Sequence, residues 1–231
     1  MKKNKQSNKL LGLFIMLFIT GSAFGQKGKL AQGVTAFNSQ EYVKAAELLA
    51  QASTHEKTMN DPKVWVYHAL AVGQAKFNGF DQLYQVDMSF DDALMSALKA
   101  KDLGAAEKYG EQLSKAFEII QGGINNEGVA AYQEGNYAEA IAFFDKKSEV
   151  NAKIDPNLVD TNLIVLKAVS YQQMDDMDNA TLHYQELAEI DYDDPNVYNF
   201  LLSAYTDVDD AKYLMTLKKA QQLYPDNSNY T

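Results

Sequence analysis

Three histidines are the side chains of this sequence best suited to metal binding or acid–base chemistry. His55, His68 and His183 lie far apart in the chain, whereas metal-binding helices place their ligands three or four residues apart. We therefore expect histidines that are exposed or held by neighbouring groups. The sequence predicts no metal centre at these positions.

Acidic clusters at residues 91–92, 175–178 and 191–194 are the other candidates for chemistry. None has the alternating ligands, central Gly and terminal Glu of a calcium loop, and their predicted places at turns favour solvated helix caps. The sequence also lacks a phosphate-binding Gly-rich loop and a nucleophile elbow. Without Cys it has neither a catalytic thiol nor a Cys-based zinc site. We predict a protein that is not an enzyme and binds no cofactor.

The N-terminal segment has the three-part pattern of a secretory signal. Four lysines lie before position 10, an apolar run extends to Ile19, and small residues end at Gly25. The apolar run is too short for a bilayer-spanning helix, which needs roughly 20 residues. We predict a cleaved signal peptide at 1–25 and an exported mature chain at 26–231, periplasmic or at the outer surface, with no stable membrane span.

The composition limits the possible partners. The chain has a net charge of −10, and all of its basic residues are Lys, with no Arg. Because Arg is the side chain best suited to grip phosphate or guanine, nucleic acids and anionic membranes are disfavoured as partners. With 46% hydrophobic residues, the chain is too apolar to be disordered.

A spacing of twelve residues between two small residues occurs three times. In the clearest copy, residues 126–144, aromatic side chains accompany the small ones and Gly135-Asn136 supplies a turn between two helices. A small residue in each helix lets the two helices approach closely. The three pairs are Gly33 and Ala45, Gly128 and Ala140, and Ala168 and Ala180.

This pattern resembles the tetratricopeptide-repeat (TPR) family. The resemblance implies an all-α fold, a right-handed TPR-like α-solenoid of helix-turn-helix repeats in a single domain. We expect Gly122-Gly123 to end or kink an extra helix between repeats 2 and 3, and Leu201, Tyr205, Leu214, Leu217 and Ala220 to face inward in the last repeat. The repeats are expected at about 26–61, 62–104, 121–156, 161–195 and 196–225, with the extra helix at about 105–121.

The resemblance also implies a binding function. TPR proteins receive a peptide or helix on a concave surface lined by the first helix of each repeat, and the matching positions here are neutral, apolar or amide-bearing. We therefore predict a protein–protein adaptor or scaffold of the bacterial envelope, with self-association through the last helix as a further possibility. The alternatives are a carbohydrate- or nutrient-binding accessory protein of the outer surface, and a purely structural role for these side chains between helices. The predicted partner-binding residues are Val34, Phe37, Asn38, Val66, Leu70, Gln74, Asn125, Val129, Tyr132, Gln133, Val169, Gln172 and Gln173.

Overall fold

The computed structural model describes residues 23–230, with side chains from residue 28 onward, and every regular element in that range is a helix. Residues 1–22, most of the predicted signal peptide, lie outside the described residues. The predicted cleavage position after Gly25 falls in the first turn of the first helix. In the described part of the chain, no helix is both long enough and apolar enough to cross a bilayer.

Eleven α-helices and a short 3-10 helix follow one another in the described residues. The α-helices are α1 (Ala23–Asn38), α2 (Tyr42–Ser53), α3 (Pro62–Phe77), α4 (Phe80–Tyr84), α5 (Phe90–Asp102), α6 (Ala106–Gln133), α7 (Tyr137–Ile154), α8 (Thr161–Gln173), α9 (Met177–Glu189), α10 (Pro195–Tyr205) and α11 (Asp210–Leu223), and the 3-10 helix is Ser228–Tyr230.

The helices pack mainly against their neighbours in the chain. The pairs α1/α2, α3/α5, α6/α7, α8/α9 and α10/α11 are hairpins, and α2, α7 and α9 each contact the first helix of the next hairpin. Such nearest-neighbour packing defines an α-solenoid. The structure confirms the predicted all-α, TPR-like repeat fold.

The small residues of the twelve-residue pattern lie where two helices come closest. A Cβ added at Gly33 would lie 2.6 Å from Leu49 Cγ, and one at Gly128 would lie 2.6 Å from Phe144 Cε1. Both larger side chains belong to the second helix of the same hairpin and are fully buried. The absence of a side chain at Gly33 and Gly128 therefore allows the two helices of each hairpin to approach closely.

Helix starts account for two of the four prolines and for part of the acidic clusters. Pro62 and Pro195 each occupy the first turn of a helix, where the missing N–H costs no hydrogen bond. Asp carboxylates cap the N-termini of five helices by accepting a backbone N–H, and two of them, Asp176 and Asp194, belong to the clusters predicted to form caps. The capping residues are Asp61, Asp160, Asp176, Asp194 and Asp209.

The prediction that Gly122-Gly123 ends or kinks the extra helix is wrong. The extra helical segment is present, but it continues without a break into the first helix of the third repeat, and the only non-helical backbone inside α6 is at Tyr109. A Cβ at Gly123 would lie 1.9 Å from Phe90 Cζ. Gly123 is therefore needed for the close approach of the Phe90 ring to α6.

The last hairpin differs from the prediction at one position. Leu201, Tyr205 and Ala220 are buried and Leu217 packs against them, but Leu214 is 63% exposed. The residues after α11 fold back onto this hairpin, where the Tyr230 hydroxyl donates a 2.9 Å hydrogen bond to the carbonyl of Pro195. Tyr230 is thereby buried in the core of this hairpin, whereas Leu214 lies on the exposed side of α11.

Candidate partner-binding surface

The predicted surface begins on α1 with an aromatic contact. Phe37 is half-buried, and its ring lies 5.5 Å from that of Tyr42 and 5.6 Å from that of Tyr67. Val34 is also half-buried, and Asn38 is exposed at the end of the helix. The first repeat therefore offers the edge of an aromatic cluster and one exposed amide.

The second repeat does not continue this surface. Val66 is 0% exposed and Leu70 is 3% exposed, because α3 contacts α2, α5 and α6. Both side chains belong to the apolar core. Gln74 is half-buried and donates a 3.3 Å hydrogen bond to Asn78 Oδ1, so it is the only predicted position of this repeat that reaches solvent.

The residues predicted for the third and fourth repeats lie toward the C-terminal ends of α6 and α8. Val129 and Tyr132 on α6 are half-buried against a small core that includes Leu163 of α8. Val169 on α8 is half-buried. Five residues make up what we call the C-terminal strip: Val129, Tyr132, Val169, Gln172 and Gln173.

The strip includes two exposed amide side chains, and a third lies next to it. Gln133, Gln172 and Gln173 reach solvent at the ends of α6 and α8. Asn125 is less available, because its Oδ1 accepts a 3.0 Å hydrogen bond from Lys147. The strip therefore combines apolar and aromatic area with amides that can donate to and accept from a peptide backbone.

Tyr184 on α9 is buried and contacts the strip through Gln172, although the sequence did not predict it as part of this surface. Its hydroxyl donates a 2.8 Å hydrogen bond to Gln172 Oε1, and its ring lies 4.2 Å from that of Phe200 on α10. Burial raises the pKa of this hydroxyl, and the nearby Asp194 and Tyr132 raise it further. Tyr184 thus brings side chains of α6, α8 and α10 together at one place.

Ion pairs join α7 to the start of α8. Lys147 Nζ lies 2.9 Å from Asp160 Oδ2, and Lys167 Nζ lies 2.6 Å from Asp145 Oδ1. Burial alone would raise the pKa of Asp160, but its hydrogen bonds and charge interaction with Lys147, together with the Leu163 N–H and Asn151, hold that pKa below its ordinary value. Both lysines are therefore engaged within the fold.

A cavity of about 320 Å³ opens beside these ion pairs. Its lining is mixed, with two exposed apolar side chains, Leu158 and Val159, at the connection between α7 and α8. Polar groups complete it, and they include Asn151, Asp160, Lys167 and His183. The sequence did not indicate this cavity, because its residues come from three helices and a connection outside the repeat pattern.

The arrangement of the histidines offers no reaction site. His68 Nδ1 lies 2.8 Å from Ser96 Oγ, but both residues are largely buried, and the Ser96 hydroxyl donates to the carbonyl of Asp92. Burial lowers the pKa of His68, and Asp92 partly offsets this effect. His183 pairs with Glu186 at 3.1 Å, a contact that the sequence reading overlooked. Among residues 23–230, no group of three or more His, Asp or Glu side chains could hold a metal ion.

No protein-family model matches the sequence, and no curated protein matches it. Solved structures with similar folds include PilW, a widely conserved type IV pilus biogenesis factor, with 10% identity, a TM-score of 0.37, and coverage of 90% of this chain and 98% of that chain. MamA AMB-1 has 16% identity, a TM-score of 0.34, and coverage of 90% and 96%.

TTC0263, a thermophilic TPR protein in Thermus thermophilus, has 16% identity, a TM-score of 0.30, and coverage of 89% of this chain and 94% of that chain. At these identities and TM-scores, the similarities carry no argument about the activity of this chain. The assignment of a TPR-like fold rests on the helical hairpins and contacts described above.

Proposed function

We propose that this protein is a non-catalytic adaptor that binds a segment of another protein along the C-terminal strip. The observation that supports the proposal is the small core that Leu163 of α8 shares with Val129 and Tyr132 of α6, together with exposed amides at the ends of both helices. Helical repeats stack into extended surfaces of this kind, and proteins use them to hold peptides or helices.

The chemistry of the strip favours recognition of a backbone with apolar side chains. Tyr132 and Val129 offer contact area, and the exposed Gln172 and Gln173 can pair with peptide N–H and C=O groups. Recognition of a terminal carboxylate is not favoured. Lys147 and Lys167, which lie on α7 and α8, are held in ion pairs within the fold.

We further propose an exported location in the bacterial envelope, which the signal-like segment at residues 1–25 supports. Self-association through α11 is part of the same proposal. Leu214 is 63% exposed and Met215 is 73% exposed on this helix, and burial of such side chains between two copies would be favourable. Sedimentation of the Leu214→Lys variant against the unsubstituted chain tests this part.

Cross-linked affinity capture from the native envelope, read by mass spectrometry, tests the adaptor function. The tagged protein is compared with its Tyr132→Ala and Gln173→Ala variants. Tyr84→Ala is the matched control, because Tyr84 is 63% exposed and lies outside the strip. We expect one dominant protein that the strip variants lose and the Tyr84 variant retains.

Two outcomes would contradict the proposal. One is recovery of the same proteins as an unrelated tagged control. The other is a dominant partner that all three variants retain equally, which would move the binding surface away from the strip. Thermal melting of each variant shows whether loss of the partner reflects loss of the fold.

A further inference from the structure

The negative charge of the protein is concentrated around α8 to α10. Residues 155–210 contain thirteen carboxylates and a single lysine, Lys167, whereas residues 23–154 contain seventeen carboxylates and thirteen lysines. The thirteen carboxylates are Asp155, Asp160, Asp175, Asp176, Asp178, Glu186, Glu189, Asp191, Asp193, Asp194, Asp207, Asp209 and Asp210.

Most of these carboxylates are not neutralised within the fold. In the described part of the chain, Lys pairs with Asp160, Asp191 and Asp209, and His183 pairs with Glu186. Lys167 interacts with Asp145 of α7 and so is not available to them. The others are exposed to solvent or accept a hydrogen bond from a backbone N–H at a helix start. A negative potential therefore surrounds α8, α9 and the start of α10. The three lysines of α11, Lys212, Lys218 and Lys219, offset part of it at the end of the last repeat.

The C-terminal strip lies inside this potential. Asp175 and Asp178 are exposed just after Gln172 and Gln173 at the end of α8. Two exposed methionines, Met174 and Met177, extend the apolar surface at the same turn. Asp176 caps α9, Asp178 lies in its first turn, where the helix dipole favours a carboxylate, and Asp175 occupies a turn position with φ of 60°. The carboxylates of Asp175 and Asp178 nevertheless remain exposed.

We propose that the segment bound by the C-terminal strip is amphipathic and carries Lys or Arg side chains beside its apolar ones. This inference rests on the proposed function and names the chemistry of the partner. The apolar side chains of the segment contact Val129, Tyr132 and Val169, while its cations lie against the carboxylates at the α8/α9 turn. Charge complementarity of this kind raises the association rate and selects among partners.

Three labelled helical peptides test the inference by fluorescence anisotropy with the purified full chain. All three carry Leu at the same i, i+3, i+4 and i+7 positions, and their remaining positions are Lys, Gln or Glu. We expect the Lys peptide to bind at least about tenfold more tightly than the Gln peptide. We expect its affinity to fall as salt rises, because exposed charges are screened.

Surface variants locate the binding. Asp175→Asn with Asp178→Asn should weaken the Lys peptide about three- to tenfold and leave the Gln peptide unchanged. Gln173→Lys should weaken the Lys peptide through like-charge repulsion. The matched controls are Glu107→Gln with Glu111→Gln, which removes two exposed charges from α6, and Gln222→Lys on α11. Neither control should change binding of the Lys peptide.

The outcomes separate this inference from the proposed function. Equal binding of the Lys and Gln peptides, both weakened by Tyr132→Ala, would overturn the inference and leave the strip as a binding surface. Tight binding of the Lys peptide with an affinity that neither Tyr132→Ala nor Gln173→Lys changes would also overturn the inference, because the peptide would then bind outside the strip. If no peptide binds, the inference is wrong, and the affinity capture decides the proposed function independently.

Discussion

Helices α3 and α8 hold the same place in their repeats but have different surroundings. Each is the first helix of a hairpin, yet α3 contacts α2, α5 and α6 as well as α1 and α4, whereas α8 contacts α7 and α9. Eight residues of α3 are buried and only three of α8. An inserted helical segment, the N-terminal half of α6, accounts for the difference.

The consequence is that one repeat position has two physical roles in the same chain. Leu70 and Val169 are both predicted partner-binding positions, and each directly follows a fully buried alanine, Ala69 and Ala168. Leu70 lies in the core, and Val169 is half-buried at the strip. A position that faces a ligand in a single-layer array becomes core where an extra helix covers it.

Truncating this matched pair of residues tests the comparison with the largest expected effect. Leu70→Ala should lower the free energy of unfolding by about 2–5 kcal/mol, because it leaves a cavity in a close-packed core. Val169→Ala should lower it by less than about 1 kcal/mol, because the side chain is only half-buried. Urea denaturation measures both values.

Binding should respond in the opposite order. Val169→Ala should weaken capture of the partner, and Leu70→Ala should leave it unchanged at a temperature where the variant is folded. Equal losses of stability in the two variants would show that α3 is not enclosed as described. Equal losses of binding would return Leu70 to the partner surface.

The close packing of α5 on α6 supplies the next largest effect. Gly123→Ala should destabilise the protein by about 1–3 kcal/mol, because the added Cβ would lie 1.9 Å from Phe90 Cζ. Gly110→Ala is the matched control in the same helix, since a Cβ there meets no atom within 4 Å. The control should be stabilised by up to about 1 kcal/mol through helix propensity.

Thermal unfolding followed by circular dichroism measures both glycine variants. The two changes are chemically identical, so helix propensity alone would shift both melting temperatures upward. A higher melting temperature in the Gly123→Ala variant would contradict the close approach of the Phe90 ring to α6.

The repeats themselves could be predicted from the sequence because the contact that defines them is local. Gly33 and Gly128 meet a side chain of the next helix in their own hairpin, and such contacts keep a fixed spacing. Burial of Leu70 depends instead on α6, more than thirty residues further along the chain. No periodic pattern carries that information.

Two other departures have the same origin. Gly122-Gly123 has the composition of a helix break, but the ring of Phe90 from another helix decides its role. The cavity beside Asp160 draws on α7, α8 and α9 together. The strip positions on α6 and α8 could be named from register and found exposed or half-buried, because α8 has neighbours only within the repeat array.

The tyrosines at the end of the array sharpen the comparison further. Tyr230→Phe should lower the free energy of unfolding by about 1 kcal/mol, because it removes the 2.9 Å hydrogen bond to Pro195. Tyr198→Phe is the control. The Tyr198 hydroxyl is buried, and in the described part of the chain it has no hydrogen-bond partner.

Removing an unpartnered buried hydroxyl should leave stability unchanged or raise it slightly. Both variants are measured by urea denaturation under the same conditions. Equal losses of stability in the two variants would show that the hydrogen bond from Tyr230 to Pro195 does not stabilise the folded-back chain end.

The smallest effect concerns the residue that directly precedes the buried alanine, Ala69 in α3 and Ala168 in α8. This position is His68 in α3 and Lys167 in α8. Lys167 forms an ion pair with Asp145, whereas burial lowers the pKa of His68 from 6.5 despite the opposing influence of Asp92. Enclosure by α5 thus favours a neutral side chain at this position.

A lowered histidine pKa makes stability depend on pH in one direction. Below pH 6.5 the unfolded chain binds a proton that the folded protein resists, so the free energy of unfolding should fall as the pH decreases until the lowered native pKa is reached. The His68→Asn variant keeps a donor for Ser96 and should lose this part of the acid dependence. Urea midpoints at several pH values between 8 and 5 measure it, and parallel curves for the variant and the unsubstituted protein would show that His68 titrates alike in both states.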